Sequence, residues 1–309
     1  MNALCFLPLL LGLVLSPLLF GIINRTKAWF AGRRGQPVLQ LYFDLWKLLR
    51  KGAVYSRTTT WIFRLGPMVG LATALTAAAL MPLGSLPALV AFPGDFLLIA
   101  GLLALMRFFT VVAALDTGSS FEGMGASREV FFSALAEPAL FVALATLARQ
   151  AEELSLSTMF GPAASGRWLD SGTVLALVVI ALMIVLLAEN ARIPVDDPNT
   201  HLELTMIHEV MVLDHSGPDL AFILYGAALK LWLFAALIVS IVLPATHGVW
   251  PGLLLGVGGM LMVAVLVGVI ESIMARLRLV VVPQLLVGAG ALAAMAFLLE
   301  LTLKTHSAS

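Results

Sequence analysis

The sequence has 309 residues, of which 61% are hydrophobic and 12% are charged, and its formal net charge is zero. A soluble domain carries about twice that fraction of charged residues, so the composition indicates a polytopic helical membrane protein. Zero net charge suggests no nucleic-acid partner, and the single cysteine, Cys5, excludes an internal disulfide or an iron–sulfur cluster held by this chain alone.

Eight apolar segments are each long enough to cross a bilayer, which requires about 20 helical residues. They cover residues 3–23, 60–83, 94–114, 128–149, 172–190, 219–244, 249–271 and 279–302. The first segment has no basic stretch before it, so we interpret it as an uncleaved span and not as a signal peptide. The predicted fold is an all-α, single integral membrane domain over residues 1–309.

The lysines and arginines are distributed unequally between the two sides of this topology. Twelve of them lie in the first, third, fifth and seventh predicted loops, and only Arg149, Arg167 and Lys304 lie on the opposite side. The positive-inside rule therefore predicts that both termini are outside and that the odd-numbered loops are cytoplasmic.

The first cytoplasmic loop, residues 24–59, contains a predicted amphipathic helix over residues 37–51, with the sequence PVLQLYFDLWKLLRK. Polar residues form one stripe and apolar residues cover most of the remaining surface, which is typical of a helix that lies at the membrane interface. Two roles stay open for this helix. It is either an anchor or the wall of a lateral entrance for a lipid-like ligand.

An arginine pair, Arg33 and Arg34, precedes this helix within the sequence GRRGQP. Guanidinium groups bind carboxylates and phosphates through paired hydrogen bonds, so the pair could bind acidic side chains of a partner or lipid phosphates.

The third predicted loop, residues 115–129, reads LDTGSSFEGMGASRE. Its four glycines do not form a phosphate-binding loop, because no strand precedes them and no GK[ST] sequence follows. Its acidic residues, Asp116, Glu122 and Glu129, are unusual because they flank membrane helices.

Several ionisable residues lie within the predicted spans. Glu137 is in the fourth span, Lys230 is near the middle of the sixth, and Arg107 is in the third. A charge at the bilayer centre costs roughly 2.5–3.5 kcal/mol, so such residues normally face the bundle interior or a wet path. For Glu137 and Lys230 we favour a proton path over a buried ion pair that only fixes helix packing. Arg64 and Glu271 lie near span ends, where snorkelling explains them.

The fifth predicted loop, residues 190–218, is an acidic cytoplasmic loop. Asp197 followed by Pro198 is typical of a helix start. Apolar residues then recur at helical spacing, at Leu202, Met206, Val210 and Leu213. The loop and its flanks carry seven carboxylates, on Glu189, Asp196, Asp197, Glu203, Glu209, Asp214 and Asp219. We therefore predict a short amphipathic helix with acids on its polar faces, ending before Ser216-Gly217-Pro218.

Three histidines of this loop, His201, His208 and His215, are spaced by seven residues. Zinc ligands on one helix normally lie three or four residues apart, so no metal site is predicted. The histidines are predicted to be hydrogen-bonded interface residues, with proton relay as the alternative.

Four segments of the chain together resemble one family. They are residues 32–49, 115–129, 189–219 and 271–279, the last with the sequence ESIMARLRL. They look like the membrane subunit that respiratory complex I shares with the energy-converting [NiFe]-hydrogenases. The formate hydrogenlyase or hydrogenase-4 type is the most similar branch.

This resemblance implies eight tilted transmembrane helices and a cytoplasmic cavity at the junction with a peripheral arm. In complex I that cavity takes the quinone headgroup. In the hydrogenase branch an iron–sulfur subunit and the [NiFe] large and small subunits dock there, with antiporter-like subunits beside the chain. The chain would sit in a bacterial or archaeal cytoplasmic membrane and hold no cofactor, catalytic residue or metal itself. The resemblance implies roles for Glu122, Glu129, Glu137, Glu189, Glu203 and Glu209, which we assign to a proton path together with Lys230. It also implies roles for Asp196 and the pair Arg33 and Arg34, which we assign to the interface of the cavity with the peripheral arm together with Asp116, Arg128 and Asp197.

The sequence departs from the complex I pattern at two places. Gln36 stands where glycine usually precedes Pro37, and the run from Pro194 to Pro198 replaces Pro-Phe-Asp and its acidic continuation. These departures favour the hydrogenase branch, as a non-catalytic anchor and coupling subunit. The alternatives are the corresponding membrane subunit of a quinone-reducing NADH dehydrogenase and a free-standing proton-coupled transporter, which predicts inverted repeats.

Overall fold

Within the part of the chain that the structure describes, eight helices are long and apolar enough to cross a membrane, which confirms the number of predicted spans. The computed structural model describes residues 3–161, 167–196, 206–243 and 248–307, and the described residues form no β-strand. The spanning helices are α1 (Phe6–Phe30), α3 (Trp61–Ala79), α4 (Asp95–Asp116), α5 (Ser120–Ala151), α7 (Arg167–Glu189, kinked at Ser171), α8 (Gly217–Val242), α9 (Val249–Ile273) and α10 (Val282–Ser307). Two shorter helices are α2 (Gln40–Leu49) and α6 (Leu156–Met159).

The helix α2 occupies the predicted amphipathic segment of the first loop. It has no buried residue, and its aromatic side chains Phe43 and Trp46 are exposed. The chain just before α2 crosses α1 so closely that a Cβ on Gly21 would lie 1.8 Å from the carbonyl oxygen of Val38. Glycine at this position therefore allows the first loop to fold back onto α1. The membrane-interface location of α2 stays a prediction.

The fourth span begins earlier than the apolar pattern indicates. Helix α5 starts at Ser120, so most of the predicted third loop forms the first helical turns. Glu122 and Glu129 are buried in these turns, because the protein supplies partners for their carboxylates. A hydropathy pattern does not detect polar turns of this kind, since it measures apolar length alone.

The predicted amphipathic helix of the fifth loop is wrong over its described part. Only a short 3-10 turn, Glu209–Val212, forms between Met206 and α8. Asp196 accepts the backbone N–H groups of Ile207 (3.2 Å) and His208 (3.1 Å), so these donors are not available to a helix. The predicted helix start at Asp197-Pro198, together with His201, Leu202 and Glu203, lies outside the described residues.

Helix α8 is the central element of the bundle. It is the most buried of the spans and contacts α1, α2, α3, α7 and α9, while α5 packs against α4, α7 and α10. The C-terminal halves of α4 and α7 and the N-terminal half of α5 therefore meet beside the middle of α8. This meeting point brings together most of the ionisable residues that the sequence places within spans.

Candidate functional site

A cavity of about 260 Å³ lies where these helix halves meet the segment before the 3-10 turn. Its apolar wall includes Phe20, Met106, Ile223 and Leu224. The lining also carries the ionisable side chains of Arg107, Glu129, Glu189, Arg192, Asp196, His208, Glu209 and Lys230. A cavity with both apolar and charged lining residues can accept an apolar molecule with a polar head, or water beside titratable groups.

Arg107 of α4 is the hub of these charged side chains, with only 8% of its surface exposed. Its two terminal nitrogens contact the carboxylates of Glu137 and Glu189, and its Nε lies 3.2 Å from Oε1 of Glu129. Three acids from two other helices thus share one guanidinium group. The five donors of arginine, arranged in a rigid fork, suit three separate carboxylates better than the compact ammonium of a lysine.

Lys230 extends this arrangement into the centre of the bundle. Its Nζ lies 2.7 Å from Oε2 of Glu189, whose other carboxylate oxygen contacts Arg107. Glu137 is the most accessible acid of the set, with 35% of its side chain exposed. Glu137 and Lys230, the two intramembrane residues predicted to form a proton path, are thus linked through Arg107 and Glu189.

His208 and Asp196 extend the arrangement toward the fifth loop. The Nε2 of His208 lies 3.1 Å from Oε2 of Glu129, and its Nδ1 lies 3.4 Å from Oδ2 of Asp196. Nη2 of Arg276 donates to Oδ1 of Asp196 at 3.1 Å. We call the resulting set the buried charge chain. In order of contact, it consists of Lys230, Glu189, Arg107, Glu129, His208, Asp196 and Arg276, and Glu137 joins it as a branch at Arg107.

The pKa values at the loop end of the charge chain follow from these contacts. Burial alone would raise the pKa of Asp196, but hydrogen bonds from His208 and the charge of Arg276 lower it. Burial alone would lower the pKa of His208, but the charge of Glu129 and the hydrogen bond with Asp196 raise it. The loop end therefore favours an ionised aspartate and a protonated histidine.

A second buried cluster lies beside the cavity and corrects the prediction for Glu271. This carboxylate does not snorkel to the interface but is buried, 2.8 Å from Nζ of Lys27 and 3.4 Å from Nη1 of Arg192. The guanidinium of Arg192 also lies 4.3 Å above the ring of Phe20. Arg64 differs, because it is exposed above Tyr55, as expected for a residue near a helix end.

Five further residues of the predicted site, all within the described part of the chain, lie outside both the cavity wall and the charge chain. Asp116 accepts hydrogen bonds from the backbone N–H and the hydroxyl of Thr60, at 2.7 and 2.8 Å, and so fixes the start of α3. Glu122 accepts the backbone N–H of Asp214 at 3.2 Å. Arg128 donates to the carbonyl of Met206 at 3.0 Å. The remaining two, Arg33 and Arg34, are exposed beyond the end of α1. Asp197 and Glu203 lie outside the described residues.

His215 differs from His208 although both belong to the same loop. Its ring stacks on Phe63 with centroids 3.9 Å apart, and burial lowers its pKa to about 4. It is therefore neutral at pH 7. Because only a short 3-10 turn and no α-helix lies between the two histidines, they do not share the predicted face. Among the described residues, no group of three or more His, Cys, Asp or Glu side chains could hold a metal ion.

The sequence alone does not connect three features of the charge chain. It expects Arg107 to face the bundle interior but names no partner for it, gives His208 an interface role with proton relay as the alternative, and gives Arg276 no function beyond topology. The available signal is the presence of Arg107 in a span, because a buried arginine requires acidic partners. The identity of these partners cannot be read from the sequence.

Comparison with known proteins gives a consistent result. The family model described as NADH dehydrogenase matches residues 2–301. Formate hydrogenlyase subunit 4 of Escherichia coli K12 is 30% identical over 90% of this chain and 92% of its own length, and hydrogenase-4 component C of the same organism is 32% identical over 94% and 93%. A chain of the membrane-bound sulfane sulfur reductase, an archaeal respiratory membrane complex, has the same fold. Its TM-score is 0.82, with 19% identity over 96% of this chain and 98% of that chain.

Proposed function

The chain belongs to the NADH dehydrogenase family, and from this membership we propose that it anchors a [NiFe]-hydrogenase of the formate hydrogenlyase type and couples its redox reaction to proton movement. It is a multi-pass membrane protein and a subunit of a membrane-bound complex. The observation that supports coupling is the buried charge chain, which runs from a cavity beside the fifth loop to the middle of α8.

The electrostatics of this charge chain support the proposed coupling. Two unit charges 4 Å apart interact by about 4 kcal/mol at an effective dielectric constant of about 20. Each carboxylate of the chain lies closer than this to a neighbouring cation, for example Glu129 at 3.2 Å from Arg107. Adding or removing one proton therefore changes the protonation free energy of the next group. A charge change at the cavity wall would be transmitted to Lys230 by this route.

The surface beside the first loop supports docking of a peripheral arm. Trp29 is 77% exposed and stacks edge-to-face on Phe30 at 5.3 Å, at the end of α1. Arg33 and Arg34 follow after two further residues. Exposed aromatic and arginine side chains are enriched in protein interfaces. The partners proposed here are the hydrogenase large and small subunits, an iron–sulfur subunit and antiporter-like subunits, with the [NiFe] centre and the clusters on those chains.

A quinone-reducing role, as in the corresponding membrane subunit of complex I, is the second candidate. The apolar wall of the cavity favours it, because Phe20 and Met106 could contact a quinone ring while Arg192 faces its oxygen atoms. Purifying the complex and identifying its subunits separates the two functions. A [NiFe] large subunit with paired CxxC motifs would support the hydrogenase, and an NADH-binding flavoprotein would support complex I.

The coupling role predicts that Glu137→Gln uncouples the complex without dissociating it. Glutamine keeps the shape of the side chain but cannot titrate, and the partial exposure of Glu137 limits the cost of the change. In inverted membrane vesicles, we expect hydrogenase activity to persist while proton translocation falls about 10-fold or more. The matched control is Glu152→Gln, which removes an exposed acid next to the other end of α5. Full translocation in an assembled Glu137→Gln complex would contradict the proposed coupling.

The distribution of lysine and arginine predicts both termini outside the cytoplasmic membrane. In a Cys5→Ser background, a cysteine placed at Ser309 should react with an impermeant maleimide in intact spheroplasts. The matched control is Lys51→Cys, an exposed position in the predicted cytoplasmic loop, which should react only after permeabilisation. The reverse labelling pattern would show that both termini are cytoplasmic.

A further inference from the structure

The loop end of the charge chain fixes the protonation of one group. Asp196 accepts at least four donors: the backbone N–H of Ile207 (3.2 Å), the backbone N–H of His208 (3.1 Å), Nδ1 of His208 (3.4 Å) and Nη2 of Arg276 (3.1 Å). A carboxylate that accepts this many hydrogen bonds, one of them from a guanidinium, is held in its ionised form. An ionised carboxylate can only accept, so Nδ1 of His208 must carry a hydrogen.

The second ring nitrogen of His208 then determines where a further proton lies. Nε2 lies 3.1 Å from Oε2 of Glu129. This is the distance of an ion pair, in which the negative charge of Glu129 stabilises a proton on the imidazole. A proton held by this pair lies either on an imidazolium beside a carboxylate or on a carboxylic acid beside a neutral imidazole.

The surroundings of this pair provide an entry and an exit for the proton. His208 lines the cavity with 24% of its side chain exposed, whereas only 7% of Glu129 is exposed. The other oxygen of Glu129, Oε1, lies 3.2 Å from Nε of Arg107, within the charge chain. A proton can therefore arrive on His208 from the cavity and reach the chain on Glu129.

We propose that Glu129 and His208 together hold the transferable proton that loads the buried charge chain, with Asp196 as the residue that positions the imidazole. This inference rests on the coupling role proposed above. The step is a proton transfer only: the N–H bond at Nε2 breaks, an O–H bond forms at Oε2, and no electron moves.

The pH dependence follows from all the charges that face the imidazole. Glu129 of α5 and Asp196 after α7 stabilise the imidazolium, whereas burial and the ammonium of Lys230 in α8 oppose it. Arg107 and Arg276 act on it through the two acids that they contact. The acids prevail, so the pKa of His208 lies above its ordinary 6.5. The pair keeps its proton when the pH is below this raised pKa and loses the proton as the pH rises through the pKa.

Two substitutions separate a proton-holding role from a purely structural contact. His208→Gln removes the titration and the charge. His208→Arg keeps a cation between Glu129 and Asp196 but cannot release a proton. If His208 only tied the two acids together, the arginine variant would remain coupled. If it holds the transferable proton, both variants lose coupling.

The experiment measures proton translocation per hydrogen evolved by the intact complex in inverted vesicles, from pH 6 to pH 9. In the wild type we expect this ratio to fall as the pH rises through the pKa of the pair, above 6.5. In both His208 variants the translocation rate should fall about 100-fold or more. The decrease of the ratio with rising pH should also disappear. The control is His215→Gln, which changes a neutral histidine of the same loop and should leave the pH profile unchanged.

Three outcomes would overturn the inference. They are coupled translocation by His208→Arg, a wild-type ratio that stays constant from pH 6 to pH 9, and loss of the pH-dependent decrease of the ratio in His215→Gln. The wild-type measurement does not depend on whether any variant assembles. If Glu137→Gln uncouples while the His208 variants stay coupled, the coupling role stands and the proton-holding pair does not. If Glu137→Gln also stays coupled, the coupling role fails.

Discussion

Replacing Arg107 with methionine is expected to destabilise the protein by roughly 3–5 kcal/mol or more and to prevent assembly of the complex. The guanidinium contacts Glu129, Glu137 and Glu189, and two of these three carboxylates are almost completely buried. Without it, they must either protonate or remain as uncompensated charges within the bundle. Both outcomes cost more free energy than the loss of one surface interaction.

The measurement is thermal unfolding of the detergent-solubilised protein, with a native gel of the complex. The matched control is Arg64→Met, which removes an exposed arginine from a neighbouring span. Arg64 lies 4.2 Å above the ring of Tyr55, an interaction of about 0.5–1 kcal/mol. The melting temperature of Arg107→Lys should lie between those of the two methionine variants, because a compact ammonium keeps the charge but not the forked geometry of the guanidinium. Equal melting temperatures for Arg107→Met and Arg64→Met would contradict the role of Arg107 as the hub.

Two glycines of α5 should respond in opposite directions to the same change. Alanine is favoured over glycine in a helix by about 0.8–1 kcal/mol. At Gly123 a Cβ meets nothing within 4 Å, so Gly123→Ala should be neutral or stabilising. At Gly125 the Cβ would lie 2.3 Å from Cγ1 of Val210 and 2.9 Å from the carbonyl oxygen of Ile207. Gly125→Ala should therefore push the 3-10 turn away from α5, at a cost of about 1–3 kcal/mol.

The displaced segment carries His208, so Gly125→Ala should also weaken coupling. Thermal unfolding measures the first effect and proton translocation in vesicles measures the second. We expect both the melting temperature and the translocation rate to fall for Gly125→Ala. For Gly123→Ala, neither should fall. Matching results for the two variants would show that the close approach of α5 to the turn does not matter.

The eight spans could be predicted without a structure, because hydrophobic length is a property of each segment alone. Glu137, Lys230 and Arg107 could also be identified as ionisable residues within those spans, since each is visible against apolar neighbours. The cost of burying a charge is known for each residue type and so needs no tertiary information.

Which charges neutralise each other depends on the packing of distant helices. Arg107 contacts acids 30 and 82 positions away in the sequence, on α5 and α7, and no local pattern carries that information. The sequence predicts that Glu271 snorkels, but it is buried, because α1 packs on α9 and brings Lys27 within 2.8 Å. The ionisation of a buried group depends on the partners that distant helices supply, whereas its hydropathy depends only on itself. For this reason the sequence could locate the ionisable residues but could not connect them.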